Sequence, residues 1–267
     1  RINMLWQNDG NNNFTEVAAQ ANLKIGAQTW LSDFGDIDND GDLDAIIINH
    51  GTGPNLMRNN GNGTFTEVTS GSGLLPTLEP QDFYGIQGFF KDFNNDGHLD
   101  LMVSGDNHYI FYNNGDGTFT ENLRDYFGHT SRFSMGNDAA DINHDGWPDI
   151  MTLDMLPEDE VVLKSSQGDD NFQTQNMRKL MFGYHYQFTR NMLHINQQNA
   201  NYLETGLLSG VAATDWSWSS LFADYDQDGE QDIFITNGIL KRPNDLDFTN
   251  FLSNAQIQKN INDSKLM

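Results

Sequence analysis

Short apolar runs broken by Asn, Asp and Gly recur along the chain, and their pattern predicts strands rather than helices. Trp30–Gly35 is short, apolar and aromatic, and it runs into an Asp-rich loop. Ala45–Asn49 leaves that loop as a continuous β-branched run, the mark of a strand buried on both faces. Asn55–Asn59 then turns through Asn60-Gly61-Asn62-Gly63 into Thr64–Val68, a hairpin carried by Asn and Gly. Four short strands in a unit of roughly fifty residues predict an antiparallel blade of an all-β propeller. The only segments patterned for helix fall in residues 154–190 and near the C-terminus, which excludes a helical repeat.

Two motifs alternate along this pattern. The first reads Asp-x-Asp/Asn-x-Asp-Gly-x-x-Asp. Its four copies place oxygen-bearing side chains at Asp36, Asp38, Asp40, Asp42 and Asp44, then at Asp92, Asn94, Asp96 and Asp100. The third copy supplies Asp141, Asn143, Asp145 and Asp149, and the fourth Asp224, Asp226, Asp228, Glu230 and Asp232. The second motif, Asn-x-x-x-x-x-aromatic, runs Asn8 to Phe14, Asn59 to Phe65, Asn113 to Phe119 and, degraded, Asn196 to Tyr202. Its aromatic positions are separated by 51, 54 and 83 residues, so the third repeat carries an insertion of about thirty.

These registers predict a half blade at 1–19 and blades at about 27–69, 84–122 and 132–204, with the insertion at 154–190. A second half blade follows at 214–240, then a partly helical extension at 241–267. The two halves could join and close a four-bladed ring. A seven-bladed ring at this period needs roughly 360 residues, which predicts instead that several blades lie outside this chain. The opening in mid-pattern at Arg1 points the same way.

Oxygens on alternate residues at positions 1, 3 and 5 of a tight loop wrap a hard cation, and a glycine at position 6 permits the backbone reversal. Gly41, Gly97, Gly146 and Gly229 supply that glycine. Position 7 offers its carbonyl, which makes Asp42, His98, Trp147 and Glu230 candidates through the backbone. An EF-hand needs an acid at position 12, where this chain has Ile47, Val103, Thr152 and Ile235. The closing carboxylate falls at position 9 instead, so the expected site is strand–loop–strand. The expected ion is Ca2+, up to four, because a flexible multi-oxygen cage suits calcium better than magnesium. Ordinary Asx turns could explain one such loop, but not four with the same ninth residue.

Charge sharpens this picture. Acidic residues outnumber basic ones 38 to 14, for a net charge of −24, and 16 of those acids sit in the four loops. Such a surface disfavours nucleic acid and anionic lipid and favours cations. The absence of cysteine excludes disulfides, thiolate metal sites and a cysteine nucleophile, and no apolar run is long enough to span a membrane.

Phe34-Gly35-Asp36 with its loop, and the run Asn113–Glu121, resemble the FG-GAP/VCBS repeats of integrin-α-like propellers, above all the cartilage acidic protein type. The resemblance covers about residues 1–240. The stretches Ala213–Asp224, Thr236–Ile239 and Pro243–Phe248 resemble large multi-repeat outer-surface proteins of Bacteroidota. These resemblances imply an extracellular, calcium-bound scaffold on the cell surface, with a protein or carbohydrate partner and a possible outer-membrane complex. They imply no one shared activity.

The insertion carries Lys164, Arg178, Lys179 and Arg190 beside Met177, Met181, Phe182, Tyr184 and Tyr186. It either packs over a blade edge and buries those apolar side chains, or presents a ligand or partner surface. The histidines lack HExxH spacing, and neither Ser165-Ser166 nor Ser217–Ser220 has nucleophile-elbow glycines, so no catalytic site is assigned. Trp216 and Trp218 could stack on a sugar or fill the core. The leading expectation is a non-enzymatic surface module for adhesion, ligand capture or assembly. The alternative is the propeller of a carbohydrate-active enzyme such as a polysaccharide lyase, with Lys91 or His98 as candidate base.

Overall fold

The computed structural model of the chain describes residues 2–75, 85–166 and 171–254. The expected blade start at 84, residues 167–170 of the insertion and residues 255–267 of the extension lie outside the described residues. β1 (Trp6–Asn8) and β2 (Phe14–Glu16) pair as an antiparallel hairpin. β3 (Thr29–Gly35), β4 (Asp44–Asn49), β5 (Asn55–Asn59) and β6 (Phe65–Glu67) form a four-stranded antiparallel sheet in chain order. β7 (Gly85–Lys91), β8 (Asp100–Gly105), β9 (Tyr109–Asn113) and β10 (Phe119–Glu121) repeat that sheet.

After α1 (Leu123–Tyr126) and β11 (Thr130–Ser131), the third sheet begins with β12 (Gly136–Ala140) and β13 (Asp149–Leu153). The chain then leaves it for α2 (Glu160–Ser165), α3 (Phe172–Phe182) and β14 (Gln187–Phe188), which pairs in parallel with β11. It returns as β15 (Met192–Asn196) and β16 (Tyr202–Glu204) to complete the order β12-β13-β15-β16. β17 (Ser217–Ala223) and β18 (Asp232–Asn237) form a last two-stranded sheet, and α4 (Leu246–Ser253) follows.

Side chains alternate between two covered faces, which explains why the second strands of the three four-stranded sheets carry apolar residues at successive positions. β4, β8 and β13 are buried at every residue. On β4, Ile46 and Ile48 face one core with Leu101, Val103 and Phe111, while Ala45 and Ile47 face another with Leu23 and Met57. On β8, Met102 turns the other way, toward Phe127, Ile150 and Tyr202. On β13, Met151 and Leu153 meet Leu193, Phe222 and Ile235. Each sheet is thus sandwiched between its neighbours, and the core is a series of inter-sheet layers, as in a propeller.

The first strands β3, β7, β12 and β17 lie side by side. Side chains stitch them together. Asp33 Oδ2 accepts from the Phe90 amide at 2.8 Å, Gln87 Oε1 from Asn137 at 2.7 Å, and Asp138 Oδ2 from Phe222 at 2.7 Å. The approach is close enough to require glycine at 136, where a Cβ would sit 2.5 Å from the Trp218 carbonyl oxygen.

The two half blades do not join: β1–β2 and β17–β18 remain separate two-stranded sheets, with Trp6, Phe14, Leu221 and Phe234 more than half exposed. Of the two alternatives for the insertion, α3 does not show the burial of its apolar side chains. α3 has no buried residue, and Met181 and Phe182 are 67% and 65% exposed, so these helices lie on the surface. Their ends are nevertheless specified locally. Asp159 and Asn171 cap α2 and α3 with their side chains, and Gly183 ends α3 in the left-handed conformation. Among the described residues, no helix is long and apolar enough to cross a membrane.

Candidate metal centre

Each Asp loop joins the first strand of a sheet to its second, and all four repeat one hydrogen-bond scheme. The position-1 carboxylate accepts from the backbone N–H of positions 5 and 6. Asp36 takes Asp40 and Gly41 at 3.1 and 3.0 Å, Asp92 takes Asp96 and Gly97 at 3.2 and 2.9 Å. Asp141 takes Asp145 and Gly146 at 3.1 and 2.8 Å, and Asp224 takes Asp228 and Gly229 at 3.1 and 2.9 Å. The position-5 carboxylate accepts from position 7, at 2.9 Å for Asp42, His98, Trp147 and Glu230 alike. These bonds fold the loop back so that alternate side chains turn inward.

The outcome differs between loops. Carboxylate oxygens of Asp36, Asp38 and Asp40 lie within 4.8 Å of one another, as do those of Asp224, Asp226 and Asp232. Among the described residues no Lys or Arg pairs with these acids. Clustered carboxylates, two of each three exposed, without a counter-charge are the donor set of a hard cation. In the second and third loops an uncharged amide takes the place of one carboxylate and donates to its neighbour: Asn94 Nδ2 to Asp96 at 2.8 Å, and Asn143 Nδ2 to Asp145 at 3.2 Å.

The ninth-position carboxylates have a structural task that sequence reasoning missed. Asp44 accepts from the amides of Ile37 and Asn59 at 3.0 and 2.7 Å, Asp100 from Phe93 and Asn113 at 2.9 and 2.8 Å, and Asp149 from Ile142 and Asn196 at 3.1 and 2.8 Å. All three are buried, whereas Asp232, which accepts from Tyr225 at 3.2 Å, is exposed at the open end sheet. Burial raises the Asp100 carboxyl to about 7 and the Asp149 carboxyl to about 6, and it raises Asp44 as well. The recurring Asn that opens the second motif was the available signal, because its backbone is what each buried carboxylate holds.

A second feature unseen from sequence links the loops to one another. Position 4 is left-handed in every copy: Asn39, Asn95, His144 and Gln227 have φ of 59, 53, 59 and 64°. From there Asn39 Nδ2 donates to the Gly97 carbonyl at 3.1 Å and meets His98 Nδ1 at 3.0 Å. Asn95 Nδ2 donates to the Gly146 carbonyl at 2.7 Å, and His144 Nε2 meets Glu230 Oε2 at 3.1 Å. The four loops are therefore chained edge to edge on one face. His98 belongs to this chain, and Lys91 forms no ion pair among the described residues. The two motifs also interlock, since a Cβ at Gly61 or Gly115 would fall 2.9 Å from Asp42 Oδ2 or His98 Nε2.

Comparison with known proteins agrees with this repeat. The FG-GAP-like repeat family matches residues 36–103 and 92–152, which span the first three Asp loops. No curated protein matches the chain. Among solved structures, one described as the recognition of non-reducing terminal N-acetylglucosamine by an Agrocybe aegerita lectin is similar at 19% identity and a TM-score of 0.46. The match covers 87% of this chain and 54% of that one, so the chain spans about half the length of this neighbour.

Proposed function

We propose, from the FG-GAP-like repeats at 36–152, that the chain is a calcium-binding propeller module of a cell-surface protein, in which the ions set one face and ligand capture or partner assembly uses the other. The observation that carries this reading is the clustering of Asp36, Asp38 and Asp40, and of Asp224, Asp226 and Asp232, within 4.8 Å without a basic partner. Bound calcium would be held by these carboxylates and by the carbonyls of Asp42 and Glu230, with the buried ninth-position acids Asp44, Asp100 and Asp149 stiffening their loops from beneath. Asp92, Asn94, Asp96 and the His98 carbonyl, and Asp141, Asn143, Asp145 and the Trp147 carbonyl, would form two weaker sites of lower charge. The ion supplies charge neutralisation and rigidity here, and no reaction step is assigned to it. An outer-surface position, with a protein or carbohydrate partner and contact with an outer-membrane assembly, fits the excess of acid and the surface helices of the insertion.

Calorimetric titration of calcium into chelator-treated protein tests the reading. Two tighter and two weaker events are expected, with Asp38→Ala removing one of the tighter pair. Absence of any binding heat at millimolar calcium would reject it.

A further inference from the structure

In each four-stranded sheet the closing acid of the Asp loop and the Asn that opens the second motif lie on adjacent strands, joined in one way. Asp44 Oδ1 accepts from the Asn59 amide at 2.7 Å, Asp100 Oδ1 from Asn113 at 2.8 Å and Asp149 Oδ1 from Asn196 at 2.8 Å. The Asn side chain donates in return to the carbonyl just before the acid: Asn59 to Leu43 at 3.1 Å, Asn113 to Leu99 at 3.1 Å, Asn196 to Pro148 at 3.4 Å. The strand register is shared as well, with Ala45 opposite Met57, Leu101 opposite Phe111 and Ile150 opposite His194.

The first and last sheets hold the two sides of this contact apart, each already set for it. Asp232 Oδ2 accepts from Tyr225, as Asp44 Oδ2 does from Ile37, while among the described residues no donor reaches Asp232 Oδ1. Asn8 Oδ1 accepts from the Gly10 amide at 2.9 Å, as Asn59 Oδ1 does from Gly61 at 3.1 Å. Asn8 lies opposite Phe14 as Asn59 lies opposite Phe65, so its own N–H points away from β2, off the free edge of β1. Side chains that are covered elsewhere stand open here. Trp6 is 55% exposed where Met57 is 4%, and Phe234 is 54% exposed where Ile46 is 0%. The chain after β18 does not supply the second motif, for no Asn there stands six residues before an aromatic. It turns aside instead: Arg242 pairs with Asp215, and Asp245 bridges to Ser166 of the insertion.

We propose that β1–β2 of a second copy of this chain docks on the free edge of β18 and completes a four-stranded sheet in the order β17-β18-β1-β2. The shared register places Ile233 opposite Trp6, Phe234 opposite Leu5 and Ile235 opposite Met4, an apolar seam, and gives Asp232 Oδ1 the Asn8 amide. A carboxylate has about four lone-pair sites, so Asp232 takes this N–H and keeps its place among the loop acids. The seam continues the pairing and layering already present in the three whole sheets, and it covers two edges of the kind that invite strand addition. Each copy brings three whole sheets and two halves. Two copies joined at both ends therefore close a ring of about eight sheets, within the four to eight blades of propellers, whereas a third copy would exceed it.

Analytical ultracentrifugation of the full chain in calcium should show a dimer. Trp6→Lys and Phe234→Lys replace side chains that are exposed in the single copy, and circular dichroism should show both variants folded. Each places a lysine in the seam and should raise the dimer dissociation constant about tenfold or more. Leu180→Lys, on the exposed surface of α3, should leave the dimer unchanged. Mixing separates this pairing from any other. Trp6→Lys retains a sound β18 and Phe234→Lys a sound β1, so together they should form heterodimers through that one seam at concentrations where neither variant dimerises alone. A monomer at every concentration, a dimer lost with Leu180→Lys but kept by both end variants, or no heterodimer in the mixture would overturn the proposal.

Discussion

At the residue scale, the loop acids divide into those that face outward and those that hold the fold. Asp100 is fully buried and accepts two backbone N–H groups. Asp100→Ala leaves both without an acceptor and should cost about 3 kcal/mol in denaturant unfolding, with or without calcium. Asp96→Ala, at an exposed position, loses only solvent-exposed loop hydrogen bonds in chelator and should cost markedly more when calcium is present; equal losses in the two conditions would contradict this division. Histidine provides a second test. Burial lowers His194 from its ordinary value to about 4, with Nδ1 unpaired. Its folded pKa is depressed below the unfolded value, so the unfolded chain binds the proton first as pH falls. The stabilising contribution is complete above about 6.5 and is lost toward pH 4, about 2 kcal/mol of it by pH 5. His194→Gln should therefore flatten the fall in melting temperature between pH 7 and pH 5. An unchanged slope would show that His194 accepts its proton in the folded state.

At the element scale, the strands were largely legible and the links between them were not. The continuous β-branched run announced β4 as a two-faced strand, and the structure sends Ile46 and Ile48 one way and Ala45 and Ile47 the other. The loops stood out because carboxylates at alternate positions around a fixed glycine have few other uses. A carboxylate at position 9 reads as a ligand whether it meets an ion or a backbone amide, so the hold of Asp44, Asp100 and Asp149 on the following Asn needed three dimensions. The same is true of Asn39 and Asn95, whose side chains find partners 58 and 51 residues away. The apolar side chains of α3 were legible as a group, but not their exposure, since helical spacing alone does not show which face is covered. The cross-loop link can be isolated. Asn95→Gly keeps the left-handed backbone and removes only the hydrogen bond to Gly146, at an expected cost of about 1 kcal/mol. Asn95→Ala should lose about 1 kcal/mol more, because a Cβ disfavours φ near +53°. Chemical denaturation of the two variants checks the order, and a harmless Asn95→Gly would leave the loops uncoupled.

At the scale of the whole molecule, a chain of net charge −24 places 16 of its 38 acids in the four loops of one face and its insertion at the opposite ends of the sheets. Without cations the four loops repel one another across the same contacts that chain them together. Calcium bound to the folded state alone would stabilise by about 2.7 kcal/mol per site at a hundredfold excess over Kd, so the four proposed sites would contribute on the order of 10 kcal/mol. That is comparable with the whole stability of an ordinary domain. Asp228→Ala, in a loop of five acids, should cost more of it than Asp96→Ala, in a loop of three. The most direct measurement is thermal unfolding of the full chain in calcium and after verified metal removal by chelator. The account predicts a sharp fall in melting temperature that added calcium restores; an unchanged melting temperature would reduce the four Asp loops to turns and contradict it.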